Sequence, residues 1–304
     1  YRESDFAFVS RLLEAHGIFY FFSHSNGRHE MIIADSRSRL EAFPDYGEVE
    51  FYGPAQSVAP EENIASWVED VSLRSGAYSH TDYNFKTPAT DLMATSDVPK
   101  DNAQAGYEQY MYPGGYRDYN TGEMLARLRL EEEQWPYETY EGITNARGLC
   151  PGYLFKMKNH ERVSDSTEFL PIRAEYDIGP EAGATYFEEN DQYLCRFVAI
   201  EADTPFRPAR ITPWPVVEGP QTAVVVGPAG EEIYPDEYGR IVVQFHWDRE
   251  GTFDQNSSCR IRVAQTIAGS HWGAMLIPRI GQEVVVEFLE GDPDRPLITG
   301  VVYN

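Results

Sequence analysis

Histidine–glutamate pairs are the first residues in this sequence that could hold a metal ion or move a proton. Two such pairs occur, His29-Glu30 and His160-Glu161. The helical type of zinc hydrolase needs a second histidine four positions after the first, so that both rings project from one helix face. Neither pair has that second histidine, and both lie in sequence that is typical of strands or turns. The spacing therefore predicts no metal-binding residue in this chain.

The carboxylates are numerous enough to suggest a glycosidase, which needs two of them. That reaction requires a fixed separation between the two groups and different pKa values for them. With 49 acidic residues the sequence cannot select a pair. The triplet Glu131-Glu132-Glu133 is predicted to form the solvated face of a helix. The chain also has no glycine-rich phosphate loop and no Gly-x-Ser-x-Gly elbow, so we predict no catalytic residue and no cofactor or cofactor-binding residue.

Cysteine is sparse in this sequence. The three cysteines are Cys150, Cys195 and Cys259, and none is close enough to another in sequence to form a metal-binding pair. An odd and small number is typical of a reducing compartment, where thiols remain unpaired. Cys259 is predicted to be a small buried side chain rather than a reactive thiol, because Ile261 and Val263 share its strand face.

The charge of the chain excludes two large classes of partner. The formal net charge is −24, and the part from Val216 onward has 13 acidic and 6 basic residues. Phosphate groups require a surplus of lysine and arginine, so we expect no nucleic acid partner, although Arg260 and Arg262 share one strand face. No run of 18 apolar residues occurs, so we expect no stable membrane insertion and synthesis in the cytoplasm.

Helical periodicity is confined to two segments. The positions that predict the first helix are Ser4 as N-cap, Phe6, Val9 and Leu13 as an apolar face, and Gly17 just beyond the end. The second helix is predicted from Gly122 to Gln134, and Pro136 ends it. Between them, Asn26-Gly27 joins two short apolar runs and predicts a hairpin. The segment from 85 to 106 is polar and is predicted to be irregular.

Strands dominate the rest of the chain, and a cluster of prolines divides it. After Gly152 nearly every apolar run is typical of a strand. The passage from 205 to 215 contains four prolines around Trp214, and proline fits neither a central strand nor a helix interior. We therefore predict one domain in residues 1–210 and a second in residues 216–304.

The last 89 residues are predicted to form a small five-stranded barrel of OB type. The predicted strands are Thr222–Gly227, Gly239–Trp247, Ser258–Gln265, Glu283–Leu289 and Leu297–Tyr303. Gly239 and Gly281 lie where the chain reverses, so a positive φ is expected at both. Trp272 is predicted to be a packing anchor. His246 lies on the strand face opposite Trp247, so we expect it to be exposed or at an edge.

Six stretches, in the same order along the chain, are similar to one protein family. They are YRESDFAFVSRLLEAHGIFYFF, TDYNFKTPATDL, YMYPGGY, FVAIEADTPFRPAR, YGRIVVQFHWDREG and the terminal SSCRIRVAQTIAGSHWGAMLIPRIGQEVVVEFLEGDPDRPLITGVVYN. Together they resemble the VgrG family, the tip proteins of bacterial type VI secretion systems. Asn84 stands where the family has a second aspartate. The resemblance covers essentially the whole chain.

The resemblance implies a mainly β (α+β) fold: hub-like β-barrel subdomains with a few helices, followed by a five-stranded OB-fold barrel. It also implies a homotrimer that meets a tail-tube protein, a baseplate and tip or effector proteins. Such a spike punctures envelopes and is not an enzyme. It is cytoplasmic before firing and is then exported to the cell exterior or a target cell. The family places a further hub segment before Tyr1 and a C-terminal β-needle after Asn304.

Two other interpretations remain open from the sequence. One is a baseplate hub or tail spike of a phage or a defective prophage, which shares these folds. The other is a tail-associated carbohydrate-cleaving enzyme, against which the absence of an inserted helical catalytic domain counts. The terminal strand from 297 to 304 is predicted to leave an unpaired edge, which pairing with two other copies would satisfy.

Overall fold

The structure is a computed structural model that describes residues 1–53, 60–103, 105–178 and 193–303. The chain divides into two compact units. The larger is Val9–Thr212, and the smaller combines Tyr1–Phe8 with Pro213–Asn304. Strands outnumber α-helices by 18 to two in the described residues, so the fold is mainly β, as predicted. Neither helix, of 11 and 16 residues, has the length and apolar character needed to span a membrane.

The secondary structure of the larger unit is mixed. Its elements, counting a first helix that begins in the smaller unit, are α1 (Asp5–Ala15), β1 (Phe19–Ser25), β2 (Arg28–Ala34), β3 (Glu48–Glu50), β4 (Ile64–Val71), β5 (Ala77–His80), β6 (Ala94–Asp97), β7 (Glu108–Met111), α2 (Tyr119–Gln134), β8 (Glu138–Thr144), β9 (Phe155–Lys158), β10 (Glu168–Ile178) and β11 (Tyr193–Glu201). Short 3₁₀ turns occupy Arg37–Arg39 and Trp135–Tyr137.

Six strands of this unit form a barrel. Their order is β3-β9-β10-β11-β8-β4, and a bridge between Phe51 and Ile64 joins the two outer strands. Aromatic side chains fill the interior: Phe169 and Phe155 are buried, and Trp67 packs against them. Alternation along each strand places these apolar residues on the inner face, and their burial is the main favourable contribution to this fold.

A smaller three-stranded sheet packs against α2. Its order is β6-β5-β7, with β5 antiparallel to β6 and parallel to β7. Leu125 and Leu128 of α2 are buried together with Tyr78 and Ala94 of the sheet. Asp118 caps the helix, because its Oδ1 accepts a 3.0 Å hydrogen bond from the main-chain N–H of Thr121. The helix ends at Gln134, as predicted, but begins at Tyr119, before the predicted start at Gly122, and β6 lies in the segment that was expected to be irregular.

The glutamate triplet of α2 does not form a solvated face, so that prediction is wrong. All three side chains are half-buried. Their arginine partners, with N–O distances, are Arg207–Glu131 at 2.7 Å, Arg129–Glu132 at 2.9 Å, Arg210–Glu132 at 3.1 Å and Arg74–Glu133 at 3.8 Å. Arg129 is itself buried, and burial lowers its pKa, so Glu132 compensates a charge that is largely removed from water.

The first helix has the predicted ends, but two residues of its apolar face are exposed. Ser4 is the N-cap, since its Oγ accepts a 3.2 Å hydrogen bond from the N–H of Ala7, and Gly17 has a φ of 65°. Phe6, however, is 71 % exposed, and Val9 is exposed too. The hairpin β1–β2 forms around Asn26-Gly27 as predicted, and Gly27 has a φ of 73°.

The smaller unit contains a five-stranded barrel with additional short strands. Its elements are β12 (Gln221–Val226), β13 (Val242–Phe245), β14 (Arg262–Val263), β15 (Ala268–Gly269), β16 (Trp272–Gly273), β17 (Glu283–Phe288) and β18 (Pro296–Val302). The sheet order is β13-β12-β17-β18-β14, and two main-chain hydrogen bonds between Ile241 and Ile261 join its outer strands. Both isoleucines are buried in its core with Val243, Val284 and Ile298.

Three predictions about this barrel have clear outcomes. Gly239 and Gly281 have φ values of 67° and 91°, as predicted. Cys259 is exposed, so its predicted burial is wrong: the strand pairs only from Ile261 onward, and alternation does not extend back to residue 259. Trp272 is 66 % exposed and therefore does not anchor the core. It lies in the two-residue strand β16, beside Gly269 of β15.

The terminal strand is less open than predicted. Leu297 and Ile298 pair with β17 on one side and with Arg262 and Val263 on the other. From Gly300 to Val302 the strand pairs with β17 alone. The unpaired edge is thus limited to the last part of β18, and Asn304 lies outside the described residues.

Candidate interaction site

Two of the stretches that carry the family resemblance, TDYNFKTPATDL and YMYPGGY, meet at one end of the three-stranded sheet. Asp82 is buried, and its Oδ2 accepts hydrogen bonds from the N–H groups of Gly115, at 2.8 Å, and Tyr116, at 3.3 Å. Asn84 donates from its Nδ2 to the carbonyl of Arg117 at 3.0 Å. A carboxylate that accepts two main-chain N–H groups fixes the turn between β7 and α2.

Tyr116 is the centre of this junction. Its hydroxyl donates to the carbonyls of His80, at 2.9 Å, and Leu92, at 2.6 Å. Burial raises the pKa of Tyr116 to about 12. A Cβ added to Gly114 or Gly122 would lie within 2.5 Å of the tyrosine ring, so only glycine allows the chain to approach this closely.

His80 completes the junction. Its Nε2 lies 2.8 Å from the carbonyl oxygen of Gly122, so this nitrogen carries the proton and donates. Burial lowers the pKa of His80, and the nearby Arg129 and Arg210 lower it further. His80 and Tyr116 are both buried, so this constellation holds the turn and does not present an acid or base to solvent.

The outer side of the same region is rich in exposed aromatic residues. We call Tyr107, Tyr110, Met111 and Tyr112 the tyrosine edge; Tyr107 is 63 % exposed and Tyr110 57 %. Tyr110 and Met111 belong to β7, and Tyr107 and Tyr112 flank it; β7 is an edge strand with all four of its own residues exposed. Exposed strand edges with aromatic side chains are common protein-binding surfaces. The tyrosine edge can therefore bind a protein. The high density of tyrosine in GYEQYMYPGGY is the sequence signal that could have indicated this surface.

The structure does not bring the candidate metal-binding pairs together. His29 lies on the hairpin opposite His24, and His160 packs against Phe51 with ring centroids 4.6 Å apart. Within residues 1–53, 60–103, 105–178 and 193–303, no group of three or more His, Cys, Asp or Glu side chains could hold a metal ion.

Two of the three cysteines have thiols that are poorly placed to react. Cys195 is buried and Cys150 is partly buried. Burial raises the pKa of Cys150 to about 11 and that of Cys195 to about 12, so both thiols are protonated near neutral pH. A protonated, shielded thiol is a poor nucleophile, which is the opposite of what a cysteine-dependent enzyme requires.

Arg260 of the five-stranded barrel is engaged with neighbouring groups of the barrel itself. Arg260 lies 4.0 Å above the centroid of the Tyr234 ring, and its Nη1 lies 3.3 Å from the carbonyl oxygen of Arg240. Trp247 stacks on Phe245 with centroids 5.1 Å apart, and its Nε1 donates to Gln221 at 2.9 Å. These side chains contact other groups of the barrel. They do not form a row of aromatic rings, beside a positively charged groove, on which nucleic acid bases could stack.

Comparison with known protein families gives two matches. Residues 1–182 match the family described as phage tail baseplate hub (GPD). Residues 221–303 match the family described as type VI secretion system/phage-baseplate injector OB domain. The five-stranded barrel of the smaller unit is therefore an OB-fold barrel, as the strand pattern predicted.

Curated relatives include several type VI secretion system spike proteins of Pseudomonas aeruginosa (strain PAO1). VgrG1b is 44 % identical over 312 residues, which cover all of this chain and 41 % of the relative. VgrG1a is 42 % identical over 305 residues, covering all of this chain and 47 % of the relative. This chain thus spans less than half the length of these relatives.

Solved structures share the fold. An Escherichia coli protein, c3393, described as a component of the type VI secretion system with similarity to T4 bacteriophage tail proteins gp27 and gp5, matches with a TM-score of 0.60 at 20 % identity, over 99 % of this chain and 61 % of that one. The Francisella PdpA-VgrG complex in its lidded form matches with a TM-score of 0.53 at 8 % identity, over 100 % of this chain and 48 % of that one. With the hub-family match over residues 1–182 and the spike-protein relatives over the full chain, the protein belongs to the phage tail baseplate hub family and, within that group of folds, to the VgrG spike proteins.

Proposed function

We propose that this chain is the hub and OB-barrel part of a spike protein at the tip of a bacterial type VI secretion apparatus. The observation that carries the proposal is the ordered match of one continuous chain, first to a baseplate hub and then to an injector OB domain. Full-chain similarity to named spike proteins supports the secretion system over other contractile machines. In this proposal residues 1–210 act as the hub region and residues 216–304 as the spike barrel.

The physical character of the chain fits mechanical work. Each of the two described barrels has its outer strands joined by a bridge, so few strand edges remain for unwanted pairing. A net charge of −24 disfavours adhesion to anionic lipid surfaces through which a spike must pass. The proposed role is therefore structural: the protein punctures an envelope and delivers attached effectors, and it does not catalyse a reaction.

The proposed assembly is a homotrimer that contacts a tail-tube protein, a baseplate and tip or effector proteins. The tyrosine edge supplies one surface suited to such contacts, because exposed aromatic groups gain most from burial at a protein interface. The protein is proposed to reside in the cytoplasm before firing and to be exported by the apparatus.

Export of the tube protein tests this function. In the bacterium that encodes this chain, deletion of the full-length gene should abolish release of the tail-tube protein into the medium, while its level inside the cell stays unchanged. Re-expression of the full-length gene should restore release. Undiminished release from the deletion strain, when no other spike gene is expressed, would contradict the proposal.

A phage or prophage baseplate hub is the second candidate, because the family that matches residues 1–182 is described for phage tails. The two candidates differ in what carries the protein out of the cell. DNA damage should release tailed particles that contain this protein if it belongs to a prophage. A secretion-system spike should be exported without such particles and independently of DNA damage.

A further inference from the structure

The open end of the six-stranded barrel contains a cavity of about 750 Å³. Three strands, β4, β8 and β11, supply one wall, and the loop from 159 to 164 supplies the other. Mouths of small β-barrels are frequent ligand sites, because the strands fix the side chains that surround the opening. Neither the hub role nor the spike role assigns any function to this cavity.

Aromatic rings form the floor of the cavity. Trp67 and Tyr140 are stacked, with centroids 5.1 Å apart and planes 19° apart, and Phe169 meets Trp67 edge-on at 4.8 Å. The Nε1 of Trp67 is buried and makes no hydrogen bond within the described part of the chain. This group is a donor and needs an acceptor, so it makes no hydrogen bond with a cation, and the floor contributes to cation binding through its aromatic rings alone.

Three carboxylates stand above this floor. Glu69 lies opposite Tyr140 in the β4–β8 pair, and Glu138 lies two residues before Tyr140 on the same strand. Glu201 lies two residues beyond Ala199, which pairs with Tyr140, so alternation places it on the same face. Glu138 accepts a hydrogen bond from the Tyr140 hydroxyl. Burial raises the pKa of the Tyr140 hydroxyl most, and the three carboxylates raise it further.

The charges of the cavity do not balance. Its lining has four carboxylates, from Glu69, Glu138, Glu161 and Glu201, against the single guanidinium of Arg162. His160 also lines it, but burial lowers its pKa, so the imidazole is neutral at pH 7. In the parts of the chain that the structure describes, Glu69, Glu138 and Glu201 form no ion pair. An anionic ligand is therefore disfavoured, and a cation would relieve the repulsion among the carboxylates.

We propose that the mouth of this barrel binds an ammonium or guanidinium group carried on an aliphatic chain. The carboxylates would accept charge-assisted hydrogen bonds from the cationic head, and the aromatic floor would take the methylene groups and the positive charge. A metal ion fits less well, because aromatic rings supply no ligand atoms and occupy much of the lining. The cationic group belongs to a small amine or to a lysine or arginine side chain of a partner protein.

Titration calorimetry of the purified full-length protein with n-butylguanidinium, n-butylammonium and neutral n-butylurea tests this inference. Butylguanidinium and butylurea have nearly the same shape, so they differ mainly in charge. We expect both cations to bind in the millimolar range and butylurea not to bind up to about 20 mM. Equal binding of butylurea, or no binding of either cation at that concentration, would overturn the proposal. Binding of methyl glucoside in their place would indicate a sugar site and would also overturn it.

A pair of double variants separates the site from the general acidity of the chain. Glu69→Gln with Glu201→Gln removes two carboxylates from the cavity, and we expect butylguanidinium affinity to fall by about tenfold. Glu141→Gln with Glu175→Gln changes the net charge equally; these two residues are exposed, as Glu69 and Glu201 are, but they lie outside the cavity. Affinity should change by less than about twofold in this control. An equal loss in both double variants would assign the binding to non-specific charge and overturn the proposal.

The peptide acetyl-Gly-Arg-Gly-amide distinguishes the two sources of the cation. If it binds at least as tightly as butylguanidinium, and loses affinity in the Glu69→Gln, Glu201→Gln variant, the site accepts an arginine side chain of a partner. If the small cation binds and the peptide does not, the site accepts free amines. Far-ultraviolet circular dichroism of both double variants checks that the barrel is folded; the conservative Glu69→Gln alone should retain the fold and show part of the loss.

Discussion

Asp82 accepts a 2.8 Å hydrogen bond from the main-chain N–H of Gly115, which is 33 residues away in the sequence. The same oxygen also accepts the N–H of Tyr116, and the side chain is buried. The contact joins two stretches that were recognised separately in the sequence. It holds the start of α2 against the end of β5 and positions the turn that follows the tyrosine edge.

Replacement of Asp82 by alanine should therefore destabilise the larger unit. The change leaves three main-chain N–H groups, those of Tyr83, Gly115 and Tyr116, without their acceptor, so we expect the free energy of unfolding to fall by about 2–4 kcal/mol. Urea denaturation followed by circular dichroism measures this change. Asp91→Ala removes an exposed aspartate that accepts from the nearby N–H of Met93, and it should cost less than about 1 kcal/mol. Equal losses in the two variants would show that the junction is not what stabilises this region.

His80 predicts a dependence of stability on pH. Its folded-state pKa is lowered, mainly by burial, so the unfolded state binds a proton more readily than the folded state. Stability should be full above the unfolded pKa of about 6.5 and should fall as the pH drops below it toward the folded value. The hydrogen bond to the carbonyl of Gly122 opposes this effect, as does Asp82, whereas Arg129 and Arg210 add to it.

The variant His80→Gln isolates this contribution, because glutamine retains a neutral N–H donor. Unfolding free energies measured between about pH 5 and pH 8 should decline less with falling pH in the variant than in the natural protein. The lowered pKa of His160 leaves some dependence in both proteins. Identical pH profiles would show that His80 is not buried as described.

Thiol labelling should distinguish the three cysteines. Cys259 is exposed, whereas Cys150 and Cys195 have pKa values raised to about 11 and about 12 by burial. At pH 8 we expect one equivalent of a maleimide probe to react rapidly with the folded chain and two more only after denaturation. Cys259→Ser should abolish the rapid phase. A rapid phase that survives this substitution would contradict the assignment.

Trp272 should contribute little to the stability of the OB-fold barrel. Its side chain is 66 % exposed, so Trp272→Ala should lower the unfolding free energy by less than about 1 kcal/mol. Phe245 is buried in the core of the same barrel, and Phe245→Ala should cost about 3–5 kcal/mol. Thermal unfolding of the two variants measures the difference. A comparable loss for Trp272→Ala would restore its original assignment as a packing anchor.

Elements set by local chemistry were predictable from the sequence. The Ser4 cap, the Asn26-Gly27 hairpin and the positive φ at Gly239 and Gly281 all follow from the residue types at those positions. The mainly β fold followed from the alternating apolar runs, and the family followed from the order of its motifs.

The predictions that were wrong concerned residues whose burial depends on contacts with residues distant in sequence. The burial of Glu131 and Glu132 depends on Arg207 and Arg210, which lie more than 70 residues further along the chain. The exposure of Cys259 depends on where pairing with residue 241 begins, which periodicity does not determine. The junction of Asp82 with Gly115 was likewise invisible, because nothing in either stretch indicates the other.

Electron cryomicroscopy of sheath–tube particles from the encoding bacterium tests the central claim most directly. The account predicts a threefold-symmetric density at one end of the tube, into which three copies of the six-stranded barrel and the OB-fold barrel fit, and its loss in a deletion strain. Particles whose tip density is unchanged by the deletion, or fits a single copy of this chain without threefold symmetry, would contradict the account.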